Sequence, residues 1–257
     1  MTDYKNLLDY AVKIARAGGQ ETLKYFKKDV QVQIKDDASP VTEADQAAER
    51  VMRKLIQNEF PGHGILGEEF GLHQEDADVQ WILDPIDGTV GFIHGIPLYT
   101  TLVGVTVNGE PVAGVICAPY MDELVCAAKG HGAWFNGKQT KIRKLKELDE
   151  ASLMTSDVQY FDTYGYKKSF NHLLKLVRTH RTWGDAYGHL MVATGRADIM
   201  LDPVLSVWDA GPLLTIITEA GGAFTDLEGN ARITGGNGIG CPAEWSDTLI
   251  NIFKTHR

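Results

Sequence analysis

Residues 81–89 read Trp81-Ile82-Leu83-Asp84-Pro85-Ile86-Asp87-Gly88-Thr89. The first three predict a buried strand, Asp84 closes it, and Asp87 follows in a turn that ends at Gly88-Thr89. Because Pro85 stiffens the exit from the strand, two carboxylates are held on one rigid loop. Carboxylate and carbonyl oxygens suit Mg²⁺ far better than Zn²⁺, so this loop is a candidate metal site. For these residues alone, an ordinary Asp-Gly turn is the alternative.

The residues before the loop predict two amphipathic helices. Apolar positions from 7 to 26 recur at helical spacing, and Gly18-Gly19 lowers the helix propensity near the middle. A second helix is predicted after Thr42. Thr42 and Asp45, three positions later, together resemble an N-terminal capping arrangement. Pro61-Gly62 is expected to end that helix.

The residues after the loop predict a strand meander and then alternating strands and helices. Asn108-Gly109 is a typical hairpin turn between two apolar runs. Strands are expected at 99–107, 112–118, 124–128, 134–135 and 152–154, and helices at 170–177, 186–194 and 212–220. Helices would thus flank antiparallel sheet. A charged stretch at 141–150 is a candidate junction between two lobes, residues 1–145 and 146–257, of a single catalytic unit.

Composition excludes several classes of protein. The chain has 257 residues, of which 44% are hydrophobic, and this is enough for a substantial core. A net charge of -9 argues against general electrostatic binding of nucleic acid or membrane lipid, so an anionic substrate would need bound divalent cations as its positive centre. The three cysteines lack a C-x-x-C spacing, and no apolar run reaches the roughly 18 residues of a membrane span. We expect a cytoplasmic protein.

Two glycine-rich segments imitate nucleotide-binding motifs. Residues 62–67 match G-x-G-x-x-G, but that fingerprint must follow a strand and open a helix, whereas here the order is reversed. A loop that enters a strand is the better interpretation. Residues 132–138 approach a P-loop, yet Gln139 stands where a Ser or Thr must bind Mg²⁺, and Trp134-Phe135 before Asn136-Gly137 indicates a strand and hairpin turn.

Further acids lie at the ends of predicted elements. Glu68 precedes the strand at 81–83, and Asp209 opens the helix that runs to residue 220. Singly, Glu68 fits a surface acid and Asp209 a helix cap. In their order and spacing, Glu68-Glu69, residues 84–89 and residues 208–222 resemble the inositol monophosphatase family of metal-dependent phosphatases. The resemblance includes residues 35–45 and spans nearly the whole chain.

This resemblance implies an α/β fold, a layered α-β-α-β-α sandwich with mostly antiparallel sheets, of the inositol monophosphatase and fructose-1,6-bisphosphatase type. It implies a homodimer, an active site between the two lobes and inhibition by lithium. Two or three Mg²⁺ ions are expected at each site. One would bind Glu68, Asp84 and the carbonyl of Ile86, a second would bind Asp84, Asp87 and Asp209, and a third, weaker ion would join at Glu68.

The resemblance also implies hydrolysis of a phosphate monoester by a metal-activated water, without a covalent phosphoenzyme. Asp45, Glu68 and Thr89 would be the catalytic residues, with Asp45 and Thr89 orienting that water. The backbone N–H groups of Gly88 and Thr89 would receive the phosphate at a helix start. Helix capping is the alternative role for Asp45.

Two departures from the commonest family pattern bear on the substrate. Gly91-Phe92 replaces Asn-Phe, and Gly184-Asp185-Ala186 replaces Gly-Ser-Ala, which introduces a carboxylate. Residues 181–187, 195–198 and 202–203 resemble the histidinol-phosphate phosphatase branch. Anionic groups beyond the metals would favour an ester that carries an amine and an imidazole. The candidate substrate-binding residues are Asp185, His189, Asp202 and Asp209.

Alternatives stand beside this interpretation. Asp185 would otherwise cap a helix, and Asp202 would otherwise lie in an Asp-Pro turn. An inositol phosphatase or a broader sugar-phosphate phosphatase is the second expectation for the substrate. A catalytically silent regulatory homologue is the third, although such relatives usually lose ligands and the acids are all present here. The expected partner is a small phosphate ester, not nucleic acid or membrane.

Overall fold

The computed structural model describes residues 3–34 and 40–256. Helix α1 (Tyr4–Thr22) is capped by the side chain of Asp3, and strands β1 (Val32–Ile34) and β2 (Pro40–Thr42) then pair antiparallel. Helix α2 (Glu43–Glu59) follows immediately. The first helix ends before Phe26 and is not interrupted at Gly18-Gly19, because both glycines are buried inside it.

Eight strands among the described residues form the larger sheet, and a short helix, α3 (Thr89–Ile93), follows its third strand in the chain. The strands are β3 (Gly64–Gly67), β4 (Gly71–His73), β5 (Val79–Asp87), β6 (Thr100–Val107), β7 (Glu110–Ala118), β8 (Glu123–Ala128), β9 (Ala133–Phe135) and β10 (Lys138–Thr140). Their order is β10-β9-β8-β7-β6-β5-β3-β4, and every pair is antiparallel except β3 with β5. The pairing of β5 with β6 is irregular between Asp84 and Asp87. The strand therefore bulges where its two carboxylates lie.

The smaller sheet contains five of the described strands. They are β11 (Ser152–Met154), β12 (Thr179–Arg181), β13 (Ile199–Asp202), β14 (Gly222–Thr225) and β15 (Gly238–Pro242), in the order β12-β11-β13-β15-β14. β11 runs parallel to both of its neighbours, and the other pairs are antiparallel. The accompanying helices are α4 (Val158–Thr163), α5 (Lys167–Leu173), α6 (Ala186–Ala193), α7 (Val207–Ala210), α8 (Leu213–Glu219) and α9 (Ser246–Thr255).

Sheets and helices alternate in five layers. Helices α1 and α2 cover one face of the larger sheet, where Trp81 and Leu83 of β5 are buried. Ile82 between them points to the opposite face and packs with residues of α6 and α8, as the period of two in a strand requires. These helices separate the two sheets, and α5 and α9 cover the far face of the smaller one. The predicted α-β-α-β-α fold with mostly antiparallel sheets is confirmed.

Two glycines bring the segment from α7 to α8 onto the larger sheet. A Cβ atom on Gly104 of β6 would lie 2.6 Å from the carbonyl carbon of Gly211, and one on Gly114 of β7 would lie 2.4 Å from the carbonyl oxygen of Pro212. Side chains at these two positions would hold the backbones apart. The close approach carries Asp209 of α7 towards the end of β5.

Several local predictions were wrong. Helix α9 was missed, because Leu249-Ile250-Asn251-Ile252-Phe253 resembles a strand as much as a helix. Asp209 does not open the long apolar helix but lies in the separate helix α7. The helix expected at 170–177 is α5, which begins and ends earlier, and residues 64–67 form a strand rather than a loop.

Other sequence predictions concern the cysteines, membranes and residues 35–40. Cys117, Cys126 and Cys241 are all unpaired. None of the described helices is both long enough and apolar enough to span a bilayer. Residues 35–39, which begin the segment 35–45 of the family resemblance, lie outside the described residues.

Candidate active site

One cleft of about 280 Å³ lies where the ends of β5, β13 and α7 meet the start of α3. Six of its described lining residues are acids and none is Lys or Arg: Glu68, Asp84, Asp87, Asp185, Asp202 and Asp209. These side chains cannot bind an anion unless a cation joins them. The structure thus brings together acids that are up to 141 positions apart in the sequence.

Three carboxylates form the centre of the cleft. One oxygen from each of Asp84, Asp87 and Asp209 lies within 4.8 Å of the other two. Asp84 is only 2% exposed, and its buried Oδ1 atom has no hydrogen-bond partner. A buried acceptor without a partner is costly, so the position of this atom fits a ligand for a cation.

Hydrogen bonds from distant segments fix the two flanking carboxylates. Asp87 Oδ2 accepts from Thr100 Oγ1 at 2.7 Å and from the backbone N–H of Ala186 at 2.8 Å. Asp209 Oδ2 accepts from the backbone N–H of Ser206 at 2.7 Å, so Asp209 is not the N-cap residue but the third residue of a capping box whose N-cap is Ser206. Both carboxylates are therefore oriented before any ligand binds, each through its Oδ2 atom.

The carboxylates in the centre repel one another. Burial, followed by the nearby carboxylates of Glu68, Asp87 and Asp209, raises the pKa of Asp84 well above its usual value. Burial and the neighbouring Asp185 and Asp209 likewise raise the pKa of Asp87. For Asp209, burial is again the largest cause and raises the pKa to about 7. An all-oxygen donor set with this excess of negative charge fits a hard divalent cation.

Glu68 lies at the end of β3 and faces the same cleft. Its segment is held by Glu49 of α2, whose side chain is fully buried and accepts from the backbone N–H groups of Glu69 at 2.8 Å and Phe70 at 3.2 Å. Arg53 Nε donates to the same carboxylate at 2.6 Å. Glu49 thus positions the loop that carries Glu68.

Asp45 uses its two oxygens differently. Oδ2 accepts from the backbone N–H of Thr42 at 2.8 Å and from its hydroxyl at 2.6 Å, which is the predicted cap of α2. Oδ1 lies 3.4 Å from Thr89 Oγ1, which also donates to the carbonyl of Ile86 at 2.9 Å. Burial raises the pKa of Asp45 to about 6. The helix cap therefore leaves one oxygen of Asp45 directed towards Thr89 and the cleft.

Gly88 lies beside Asp185, the carboxylate that replaces serine in the commonest pattern of the family. Its φ of 84° is left-handed, and a Cβ atom there would lie 2.8 Å from Asp185 Oδ2. Asp185 occupies the N-cap position of α6 but makes no capping hydrogen bond with its side chain. Burial and the neighbouring Asp202 raise its pKa to about 6. Its carboxylate is therefore turned to the cleft and not to the helix.

Asp202 lies at the end of β13 and is almost fully buried. Its Oδ1 accepts from the hydroxyl of Ser156 at 2.6 Å and from the Ser156 backbone N–H at 3.3 Å, while Oδ2 has no hydrogen-bond partner. His189 does not line the cleft. It is fully buried in α6, with Nε2 3.4 Å from Asp202 Oδ2, and so lies behind Asp202.

The sequence-based prediction omitted residues that hold the acids. Glu49, Thr100 and Ser156 bond to site residues or their backbone. Only Glu49 leaves a signal, since a glutamate on the apolar face of an amphipathic helix requires a buried partner. Tyr160 and Trp208 also line the cleft without having been predicted as site residues.

Comparison with known proteins identifies the family of the chain. The pattern that defines the "Inositol monophosphatase family" matches residues 3–257. A histidinol-phosphatase of Chlorobaculum parvum is 38% identical over 237 residues, which cover 90% of each chain. An inositol-1-monophosphatase of Rhizobium meliloti is 34% identical, over 93% of this chain and 92% of that protein.

A solved structure gives the same result. The extragenic suppressor protein suhB of Bartonella henselae superposes with a TM-score of 0.91 and 29% identity, over 97% of this chain and 99% of that one. The resemblance noted in the sequence is thereby confirmed at the level of the family and of the fold. The chain belongs to the inositol monophosphatase family.

Proposed function

We propose that the protein is a Mg²⁺-dependent phosphate monoester hydrolase. The observation that carries this proposal is the group formed by Asp84, Asp87 and Asp209, in which a buried oxygen of Asp84 lacks a partner and no described residue lining the cleft is cationic. Such a site can hold a phosphate dianion only through bound cations. Membership of the family supports the same reaction class.

Two or three Mg²⁺ ions are proposed per site. Their ligands would be the side chains of Glu68, Asp84, Asp87 and Asp209 together with the carbonyl oxygen of Ile86. When bound, the ions would supply positive charge for the phosphate oxygens and favour ionisation of water. The carboxylates would hold them without large rearrangement, since Asp87 and Asp209 are already fixed by hydrogen bonds.

Asp45 and Thr89 are proposed to orient the attacking water, with Glu68 as the third catalytic residue. Asp45 Oδ1 and Thr89 Oγ1 lie 3.4 Å apart beside the cleft, and the raised pKa of Asp45 suits a group that accepts a proton near neutral pH. The backbone N–H groups of Gly88 and Thr89 at the start of α3 would receive the phosphate.

The proposed substrate is L-histidinol phosphate, which would yield L-histidinol and phosphate. Asp185 and Asp202 extend the acidic lining beyond the three central carboxylates, and an amine would offset their charge. The relative from Chlorobaculum parvum carries the name histidinol-phosphatase. His189 would act from behind Asp202 and not by contact with the substrate.

An inositol phosphatase or a broad sugar-phosphate phosphatase is the second candidate, favoured by the name of the Rhizobium meliloti relative. A silent regulatory homologue would be expected to lack one of the central acids, and all of them are in place. One catalytic unit with lobes at 1–145 and 146–257, a homodimer, a cytoplasmic location and inhibition by lithium remain predictions that follow from this assignment.

The reaction class is tested by phosphate release from small monoesters after removal of divalent metal. Activity should require added Mg²⁺ and be abolished by Asp84→Asn, whereas Asp76→Asn on the exposed surface should retain it. Full activity of the chelated protein would contradict the metal assignment. The substrate is tested by Asp185→Ser, which should lower kcat/KM for histidinol phosphate selectively; an equal loss with inositol 1-phosphate would contradict a role in recognition.

A further inference from the structure

A second cleft adjoins the candidate active site. It has a volume of about 350 Å³ and is called the adjoining cleft below. The two clefts share five lining residues: Gly88, Val90, Ser156, Tyr160 and Asp185. They are therefore continuous, and an extended ligand can occupy both without leaving the protein surface.

The adjoining cleft has an apolar and aromatic wall. Val90 is 59% exposed, Ile96 47% and Tyr160 43%, and all three line it. Apolar side chains that stay exposed beside a reaction centre indicate a surface that is covered when a ligand binds. A tyrosine ring next to two aliphatic side chains suits a flat ring more than a branched polyol.

The charge of the adjoining cleft is negative. Among its described lining residues are Asp157 and Asp185, and none is Lys or Arg. Asp157 is occupied as the cap of α4, where it accepts from the backbone N–H of Gln159 at 2.7 Å. Asp185, which makes no capping bond, lies on the boundary between the two clefts. A ligand that spans both clefts would thus pass the carboxylate of Asp185 where they meet.

We propose that the adjoining cleft is a subsite for a planar ring in a positively charged leaving group of the substrate. The ring would lie against Tyr160 and between Val90 and Ile96, while Asp185 balances the charge of the amine. This inference rests on the proposed function, because the phosphate end of the same molecule would occupy the three central carboxylates. The adjoining cleft, outside the metal centre, would then determine which leaving groups the protein accepts.

The experiment uses Ile96→Lys, which places a positive charge on the wall of the adjoining cleft at a side chain that is already half exposed. Leu72→Lys is the matched control, since Leu72 is 54% exposed on β4 and lines neither cleft. For each protein kcat/KM is measured with histidinol phosphate, which has the ring, and with glycerol 2-phosphate, which has neither ring nor amine. We expect Ile96→Lys to lower the ratio of the two values about tenfold and the control to leave it unchanged. An unchanged ratio in Ile96→Lys would overturn the inference.

A binding measurement separates this inference from the proposed function. L-Histidinol is titrated calorimetrically into the Mg²⁺-loaded protein, which requires no turnover. Binding that is weakened about tenfold by Ile96→Lys supports the subsite even if histidinol phosphate is not hydrolysed. Equal binding to the wild type and Ile96→Lys, or no binding to the wild type at millimolar concentration, overturns the subsite and leaves the phosphatase assignment to the phosphate-release assay.

Discussion

Asp84→Asn removes one charge from the centre of the carboxylate group while nearly preserving the size of the side chain. Asp84 is 2% exposed, and its pKa is raised well above the ordinary value first by burial and then by Glu68, Asp87 and Asp209. In the metal-free protein, folding at neutral pH requires Asp84 either to stay ionised among other acids or to take up a proton, and both cost free energy. The substitution is therefore expected to stabilise the metal-free protein even though it abolishes the proposed activity.

The size of the effect follows from the pKa values in the group. Each unit of pKa displacement corresponds to about 1.4 kcal/mol. The pKa of Asp209 stands at about 7 instead of 3.8, so several kcal/mol of opposing free energy are shared among these acids at neutral pH. Removal of one of these carboxyl groups should raise the free energy of unfolding by about 2 kcal/mol, or Tm by about 4–8 °C for a chain of this size.

The assay is scanning calorimetry at about pH 7.5, first with chelator and then with Mg²⁺. At a Mg²⁺ concentration about 100 times its Kd, the wild type should gain about 2.7 kcal/mol, and Asp84→Asn should gain almost none. Asp76→Asn on the surface should behave as the wild type in both conditions. A metal-free Tm of Asp84→Asn below that of the wild type, or an undiminished response to Mg²⁺, would refute the reasoning.

Three further outcomes are expected. The folded-state pKa values of Asp45 and Asp209 are raised to about 6 and about 7. Between about pH 4 and pH 7 the folded chain therefore holds protons that the unfolded chain has lost. The contribution of these two groups to the stability of the metal-free protein falls as the pH rises through this range. The rise in Tm caused by Mg²⁺ should accordingly grow between about pH 5 and pH 8, and a rise that shrinks over this range would contradict the assignment. Glu49→Gln cannot accept all three hydrogen bonds of the carboxylate. Calorimetric titration should therefore show weaker Mg²⁺ binding, and denaturant unfolding should show a free energy of unfolding that is lower by about 1–3 kcal/mol. Wild-type values in both measurements would argue against the positioning role of Glu49. Gly114→Ala forces α8 away from the sheet and should cost about 1–3 kcal/mol, whereas Gly62→Ala, with open space around its Cβ position, should cost much less.

The metal loop was predictable because its information is local. A short apolar strand, a proline and two aspartates within residues 81–89 determine both the bulged end of β5 and the pair of carboxylates. The resemblance to a family supplied Glu68 and Asp209, which local patterns describe equally well as a surface acid and a helix cap. In the structure Asp209 completes the capping box of Ser206 and also joins the central group, so a role in capping and a role in the metal site are not exclusive.

The supporting hydrogen bonds could not be predicted from local pattern. Ala186 donates to Asp87 across 99 positions and Ser156 to Asp202 across 46, and neither residue type suggests such a partner. The parallel pairing of β11 with β13 joins strands of three and four residues, which are too short for a reliable hydrophobic period. These features depend on tertiary packing, and this is also why the burial of His189 was not foreseen.

The ratio of kcat/KM for L-histidinol phosphate to that for inositol 1-phosphate, measured with Mg²⁺ on the same preparation, tests the central claim most directly. The cleft is proposed to hold the phosphate through cations and the leaving group of the substrate through Asp185 and Asp202. We therefore expect a ratio of at least about ten, which corresponds to roughly 1.4 kcal/mol of discrimination. A ratio near or below one would contradict the account of the substrate.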